Sequence, residues 1–197
     1  MRKEQTQNMK TLLIVDPQID FISGSLAVPK AEAAMLKLTE RIEKEALAPT
    51  QAWEQIVITV DAHPIDHCSF VAQGGEWPPH CIKQSVGAAI YEPLMQALIK
   101  LKGSSAAPRI TIVEKGKLQE KDEYSAFGES LPEYLRSSSG VEVCGIAGEY
   151  CVFTTLSDLI KHGMPPWNIV ILKECIGSFD DGETIEKFAQ THQCNIA

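Results

Sequence analysis

Thr11-Leu12-Leu13-Ile14-Val15 is an unbroken run, rich in β-branched side chains, that stops at Asp16-Pro17. A run this short and apolar on both faces suits a strand buried on both sides of a parallel sheet. The same pattern returns at Ile56–Val60, ending at Asp61, and at Ile110–Val113, ending before Glu114-Lys115. It returns again at Val141–Cys144, ending at Gly145, and at Ile169–Leu172. Cys194–Ala197 is a short candidate for one more strand.

Helical periodicity fills the intervals. Between Lys30 and Leu47, apolar Ala31, Met35, Leu38, Ile42 and Ala46 recur every three or four residues. Pro93 suits the first position of a helix whose buried face is Leu94, Ala97, Leu98 and Leu101. Cys151–His162 places Val152, Leu156, Leu159 and Ile160 on one side, and Gly163 is a natural stop. Glu183–Gln190 is a shorter, weaker helical pattern. Strands alternating with helices predict an α/β, three-layer, Rossmann-like fold, with a parallel sheet of about six strands and helices on both faces. Residues 11–197 read as a single domain, and the polar residues 1–10 as a flexible N-terminal extension.

Composition narrows the function. A chain of 197 residues that is 44% hydrophobic and 22% charged sits near the soluble globular average, so one packed domain is expected. A formal net charge of −8, with no cluster of lysine and arginine, argues against a nucleic-acid partner. No segment approaches the ~18 apolar residues of a membrane span, and the N-terminus lacks the apolar core of a secretion signal. The six cysteines are scattered without a Cys-x-x-Cys pair, which fits reduced thiols and a cytoplasmic location.

In open parallel sheets, ligands bind beyond the carboxyl ends of the strands. Asp16, Asp61 and Lys115 follow apolar runs directly, and Cys151 follows the turn Gly145–Tyr150. At the start of a helix, backbone N–H groups favour a thiolate, and a nearby Lys115 ammonium would push the same way. Asp16 could take the thiol proton and later hand it to a leaving amine. From position alone, Cys151 is either that nucleophile or a small buried hydrophobe.

The irregular stretch from Asp61 to Ala88 carries three of the five histidines. Asp61 and His63 stand one residue apart, so on extended backbone they point the same way. With His80 they would offer two imidazoles and a carboxylate, a set that leaves coordination positions open as catalytic metal sites do. His67 is either a fourth ligand or a loop histidine bonded to backbone. Cys81 adjoins His80 and reads as packing.

These segments, in order, resemble the nicotinamidase/pyrazinamidase branch of the isochorismatase-like cysteine hydrolases. The matching stretches are Asp16-Pro-Gln-Ile-Asp20-Phe21, Gly24–Pro29, Asp61-Ala-His63-Pro64, His67–Phe70, Trp77-Pro-Pro-His80-Cys81, Glu114-Lys115-Gly116, Tyr124–Phe127 and Gly145–Val152. The resemblance implies a triad of Asp16, Lys115 and Cys151, and one divalent metal ion on Asp61, His63 and His80. That metal is zinc in the first instance, with iron and manganese as alternatives. It implies a cis peptide between Ile146 and Ala147, an oxyanion hole from the N–H groups of Ala147 and Cys151, and a substrate ring among Phe21, Trp77, Tyr124 and Ala147.

The implied activity is hydrolysis of a small pyridine carboxamide, nicotinamide and by extension pyrazinamide, to the acid and ammonia through a thioester. Self-association is left open. The main departure is Ala147-Gly148-Glu149, where the family usually carries Ala-Thr-Asp. Two other readings follow: an amidase of the same superfamily acting on a ureido or carbamoyl compound, and a metal-binding homologue impaired in turnover.

Overall fold

A computed structural model describes residues 9–197. Six strands form one parallel sheet: β1 (Lys10–Val15), β2 (Gln55–Asp61), β3 (Arg109–Lys115), β4 (Gly140–Ile146), β5 (Ile169–Gly177) and β6 (Asn195–Ile196). Their order across the sheet is β3-β2-β1-β4-β5-β6. This is the doubly wound arrangement expected from the alternation of strand and helix patterns. β1 is buried from Thr11 to Val15, as its two-sided apolar run requires. Most of the extension expected at residues 1–10 lies outside the described residues, and Lys10 already pairs with Gly140 in β1.

The helices are α1 (Ile19–Ile22), α2 (Ala31–Leu47), α3 (Glu92–Lys102), α4 (Glu133–Arg136), α5 (Phe153–Lys161) and α6 (Glu183–His192). Crossovers carry the chain outward from β1 through β2 to β3, and then the other way from β4 through β5 to β6. They place α2 and α3 on one face of the sheet and α5 and α6 on the other. α2 buries Ala31, Ala34, Met35, Leu38 and Ile42 against α3 and β5. α1 and α4 carry no helical period in the sequence because each is a single turn.

Strand order reverses between β1 and β4, which run parallel, so the chain leaves both strands at the same end of the sheet. β2 runs one residue and β3 two residues further than their apolar cores, so Asp61 and Lys115 are the last residues of those strands and register partners. The sequence placed them just beyond. Pairing with a neighbour strand, which periodicity cannot register, extends the ladder through these charged ends. Every candidate for chemistry therefore sits on one edge of the sheet. Among the described residues, no helix is long and apolar enough to cross a membrane.

Candidate active site

Lys115 is the centre of the polar cluster. Its Nζ lies 2.9 Å from Asp16 Oδ2 and 2.6 Å from Asp61 Oδ1. It also donates to the Glu123 carbonyl at 3.2 Å and stands 3.5 Å from Cys151 Sγ. The lysine is only 2% exposed, and Asp16 is fully buried. Burial alone would drive this ammonium to lose its proton, but two carboxylates hold its pKa well above the ordinary lysine value.

Asp16 follows β1 with a φ of 47°, a left-handed conformation that aspartate tolerates better than bulkier residues. Thr59 Oγ1 donates to Asp16 Oδ1 at 2.7 Å, which leaves Oδ2 to face Lys115 and the thiol. Burial raises the Asp16 pKa, and Lys115 opposes the rise without cancelling it. A carboxylate with a raised pKa is better matched to taking up a proton near neutral pH.

Cys151 departs from the sequence expectation in two ways. It lies in a π-helical turn, Gly148–Val152, that runs directly into α5, rather than at the first position of an α-helix. Such single turns occur often at functional sites. Nor does Lys115 hold it as a resting thiolate. Burial pushes the thiol up, Lys115 pulls it down, and Asp16 and Asp61 push it up again. One ammonium shared between two carboxylates has too little charge left for a third anion. The balance favours the thiol over the thiolate, with the Asp16 carboxylate beside it as the base. The six cysteines are all free, and Cys81 is fully buried in the core, as its packing role requires.

Asp61, His63 and His80 bring one donor atom each within 4.8 Å of one another. Ligands held ~2.0–2.2 Å from one ion in a tetrahedral set stand about 3.3–3.6 Å apart, and His63 Nε2 stands 3.6 Å from Asp61 Oδ2, a spacing that suits a shared cation. The histidine tautomers suit it too. His63 Nδ1–H donates to the Gly116 carbonyl and His80 Nδ1–H to the Pro78 carbonyl, each at 2.8 Å, so both Nε2 atoms are free for the shared space. Gly116, at φ 60°, packs on the His63 ring; a Cβ there would stand 2.4 Å from His63 Cε1.

Burial would raise the Asp61 carboxyl, yet Lys115 and His63 beside it hold it well below the ordinary range. Burial lowers His80, which keeps it the neutral imidazole that a metal needs. His63 is raised instead: its Nε2 stands 3.6 Å from Asp61 Oδ2, and the carboxylate outweighs burial. A divalent cation in this space would face the same Asp61 carboxylate that favours a proton on His63.

His67 does not join the set. Its Nε2–H donates to the Lys121 carbonyl at 3.1 Å, and its Nδ1 accepts from Ser69 Oγ at 2.7 Å. With both ring nitrogens occupied, it supports His63 by stacking, with ring centroids 4.0 Å apart. Of the two sequence readings, the backbone-bonded loop histidine matches this geometry, and the fourth-ligand reading is corrected.

Cys151 from the first cluster and Asp61, His63 and His80 from the second line one narrow pocket. Phe21 and Ala147 form part of its floor and wall beside His80 and Cys151. Trp77 Nε1–H donates to the Tyr124 hydroxyl at 3.2 Å, so the two aromatic side chains hold each other at the rim. The peptide between Ile146 and Ala147 is cis. The pocket thus gathers every residue that sequence reasoning had put around the substrate.

Several contributors escaped that reading. Gln18 grips Asp61 by both backbone groups: its Nε2 donates to the Asp61 carbonyl at 2.8 Å, and its Oε1 accepts the Asp61 N–H at 2.7 Å. Its position next to Asp16-Pro17 was visible, but its aim across to β2 was not. Leu26, Val28, Tyr150 and Phe179 complete the pocket walls. Phe179 carries no sequence signal, because it lies beyond the last of the matching stretches, which ends at Val152.

Residues 10–195 match a family model described as the isochorismatase domain. A nicotinamidase of Saccharomyces cerevisiae is 29% identical, over 95% of this chain and 99% of its own. A pyrazinamidase of Pyrococcus horikoshii, solved in complex with zinc, is 30% identical, covers 95% of this chain and 98% of its own, and superposes with a TM-score of 0.75. A protein of L. infantum solved in complex with nicotinate is 30% identical, covers 96% of this chain and 92% of its own, with a TM-score of 0.76.

Proposed function

Because the chain belongs to the isochorismatase domain family, we propose that it is a nicotinamidase: it hydrolyses nicotinamide to nicotinic acid and ammonia through a thioester on Cys151. The observation that carries the reading is the meeting of two clusters in one aromatic-walled pocket, Lys115 with Asp16 and Cys151 on one side and Asp61, His63 and His80 on the other. Relatives named for nicotinamide and pyrazinamide hydrolysis, matched over nearly the whole chain, support the substrate class.

Asp16 takes the Cys151 proton as the sulfur attacks the carboxamide carbon. The resulting oxyanion is held by the N–H groups of Ala147 and Cys151, each typically worth ~2.7–4 kcal/mol. Asp16 then returns the proton to the nitrogen, the C–N bond breaks and ammonia leaves. The same carboxylate deprotonates water as it adds to the thioester, and its proton goes back to the departing sulfur. Lys115 keeps Asp16 in place and offsets its charge throughout. Asp61, His63 and His80 would hold one divalent metal ion, zinc being the first choice on the zinc-bound relative. Such an ion supplies Lewis acidity that can bind the ring nitrogen and orient the amide.

The assembled metal-type cluster weighs against a ureido or carbamoyl substrate, whose hydrolysis needs no ring-orienting ion. Turnover of nicotinamide by the purified protein, followed as ammonia release with metal content measured on the same sample, tests the activity; no release from nicotinamide or pyrazinamide refutes it. For the metal, His80→Ala is expected to lower bound metal from near one equivalent to below about a tenth while the cooperative melt is retained. His80 sits on a loop over the sheet; its Nδ1–H donates to Pro78 and its ring packs on Phe21, Phe70 and His63, none of which are sheet hydrogen bonds. Unchanged metal content in this variant would place the ion elsewhere.

A further inference from the structure

Phe179 stands at the mouth of the pocket and is 46% exposed, so core packing does not hold it. Its ring meets Tyr150 edge-on, with centroids 6.2 Å apart. What holds the residue is its backbone, and both neighbours converge on one atom. Ser178 Oγ lies 2.7 Å from Glu149 Oε1, and the N–H of Asp180 donates to that same oxygen. Asp180 in turn accepts the N–H groups of Gly182 and Thr184, each at 2.9 Å, which ties the loop to the first turn of α6.

Glu149 belongs to the turn that carries Cys151, and its other oxygen, Oε2, is buried without a partner among the described residues. The neighbouring Gly148 makes the approach sterically feasible. A Cβ on Gly148 would stand 2.9 Å from Ser178 Oγ and 3.3 Å from Ile185 Cγ1, so a larger residue would push the loop away. Gly148 and Glu149, the pair that departs from the family pattern, thus work together. One leaves room for the loop, and the other binds it on both sides of Phe179.

We propose that Phe179 is a specificity-determining wall of this pocket and that Glu149 is the positioning residue that holds it there. The wall would exclude pyridine carboxamides that carry a further ring substituent. That substrate class rests on the nicotinamidase reading; the clasp itself does not.

Two measurements test this on the metal-loaded full chain. The first compares kcat/KM for 5-methylnicotinamide and nicotinamide. Phe179→Ala and Glu149→Ala should each raise this ratio about tenfold, within the range one methyl group is worth in a fitted pocket. The change should fall in KM for the methylated amide rather than in its kcat. Glu149→Gln keeps an acceptor at Oε1 and should behave as the unmodified protein does. The second compares alkylation of Cys151 by a bulky maleimide and by iodoacetamide, resolved by peptide; both alanine variants should raise the bulky-to-small rate ratio about tenfold.

If both alanine variants leave both ratios unchanged, the proposal falls. A shift in Phe179→Ala alone overturns the clasp. Should Glu149→Ala fail to fold, Ser178→Ala removes one side of the same clasp and takes its place. If the unmodified protein hydrolyses neither amide, the nicotinamidase reading fails, and the alkylation ratio alone decides whether Phe179 and Glu149 build the wall.

Discussion

Cys151→Ala is expected to cut ammonia release from nicotinamide by about 10⁴-fold or more, as removal of a covalent nucleophile does in enzymes whose residues act as a unit. Cys68→Ala, Cys144→Ala and Cys194→Ala should each keep most of the activity. The contrast rests on geometry. Cys151 lines the pocket with Lys115 Nζ 3.5 Å away, whereas Cys144 Sγ is fully buried in the core, 3.8 Å from the Leu13 carbonyl. Cys68 and Cys194 are partly exposed and lie away from this pocket. Steady-state ammonia assays on the four variants, each checked for a cooperative melt, read the result. Near-normal turnover in Cys151→Ala would refute the thioester route.

Lys115→Met should be the most damaging substitution to stability as well as to turnover. The side chain keeps its length but leaves Asp16 and Asp61 buried without their shared cation. Breaking a buried ion pair from one side costs about 3–5 kcal/mol. The loss should depend on pH, and the sign can be worked out. In the unmodified protein Asp61 is held below the ordinary carboxylate range, so its stabilising contribution is present above that range and is lost as pH falls through the lowered value. Burial already raises Asp16 above its unfolded value, and without Lys115 it rises further, while Asp61 loses the largest influence that holds it down and keeps only His63 against burial. A raised carboxyl stabilises the fold below the unfolded value and loses that contribution as pH rises through the folded one.

The stability gap between the two proteins should therefore be widest at pH 8 and narrow towards pH 5. Urea midpoints at both values, with metal chelated from both samples, measure it. A gap of equal size at the two pH values would mean that Lys115 is not what keeps these carboxylates ionised.

Much of this arrangement was legible before any coordinates. The run Thr11–Val15 and its later counterparts announced a parallel sheet because strands covered on both faces need apolar residues on both. The abrupt ends at Asp16, Asp61 and Lys115 announced the working end of that sheet, because a charge closing a buried strand must meet solvent or an opposite charge, and in a parallel sheet these ends lie together. The ordered motifs around His63, His80 and Cys151 then named the chemistry.

What the chain alone could not decide was how the charges divide among themselves. Whether Lys115 serves Cys151 or the two carboxylates depends on distances across three strands, and those are set by sheet register rather than by spacing in the chain. The same holds for His67, whose ring nitrogens are taken by Lys121 and Ser69, and for Gln18, whose grip on Asp61 spans two strands. Glu149 and Phe179 stand 30 positions apart, on different loops, and only the packing of α6 and β5 against the Cys151 turn brings them together. Periodicity and motif order determined the fold, the reaction class and the residues at the sheet edge. Burial and long-range hydrogen bonding, which act between residues far apart in the chain, decided which group holds which proton and which side chain closes the pocket.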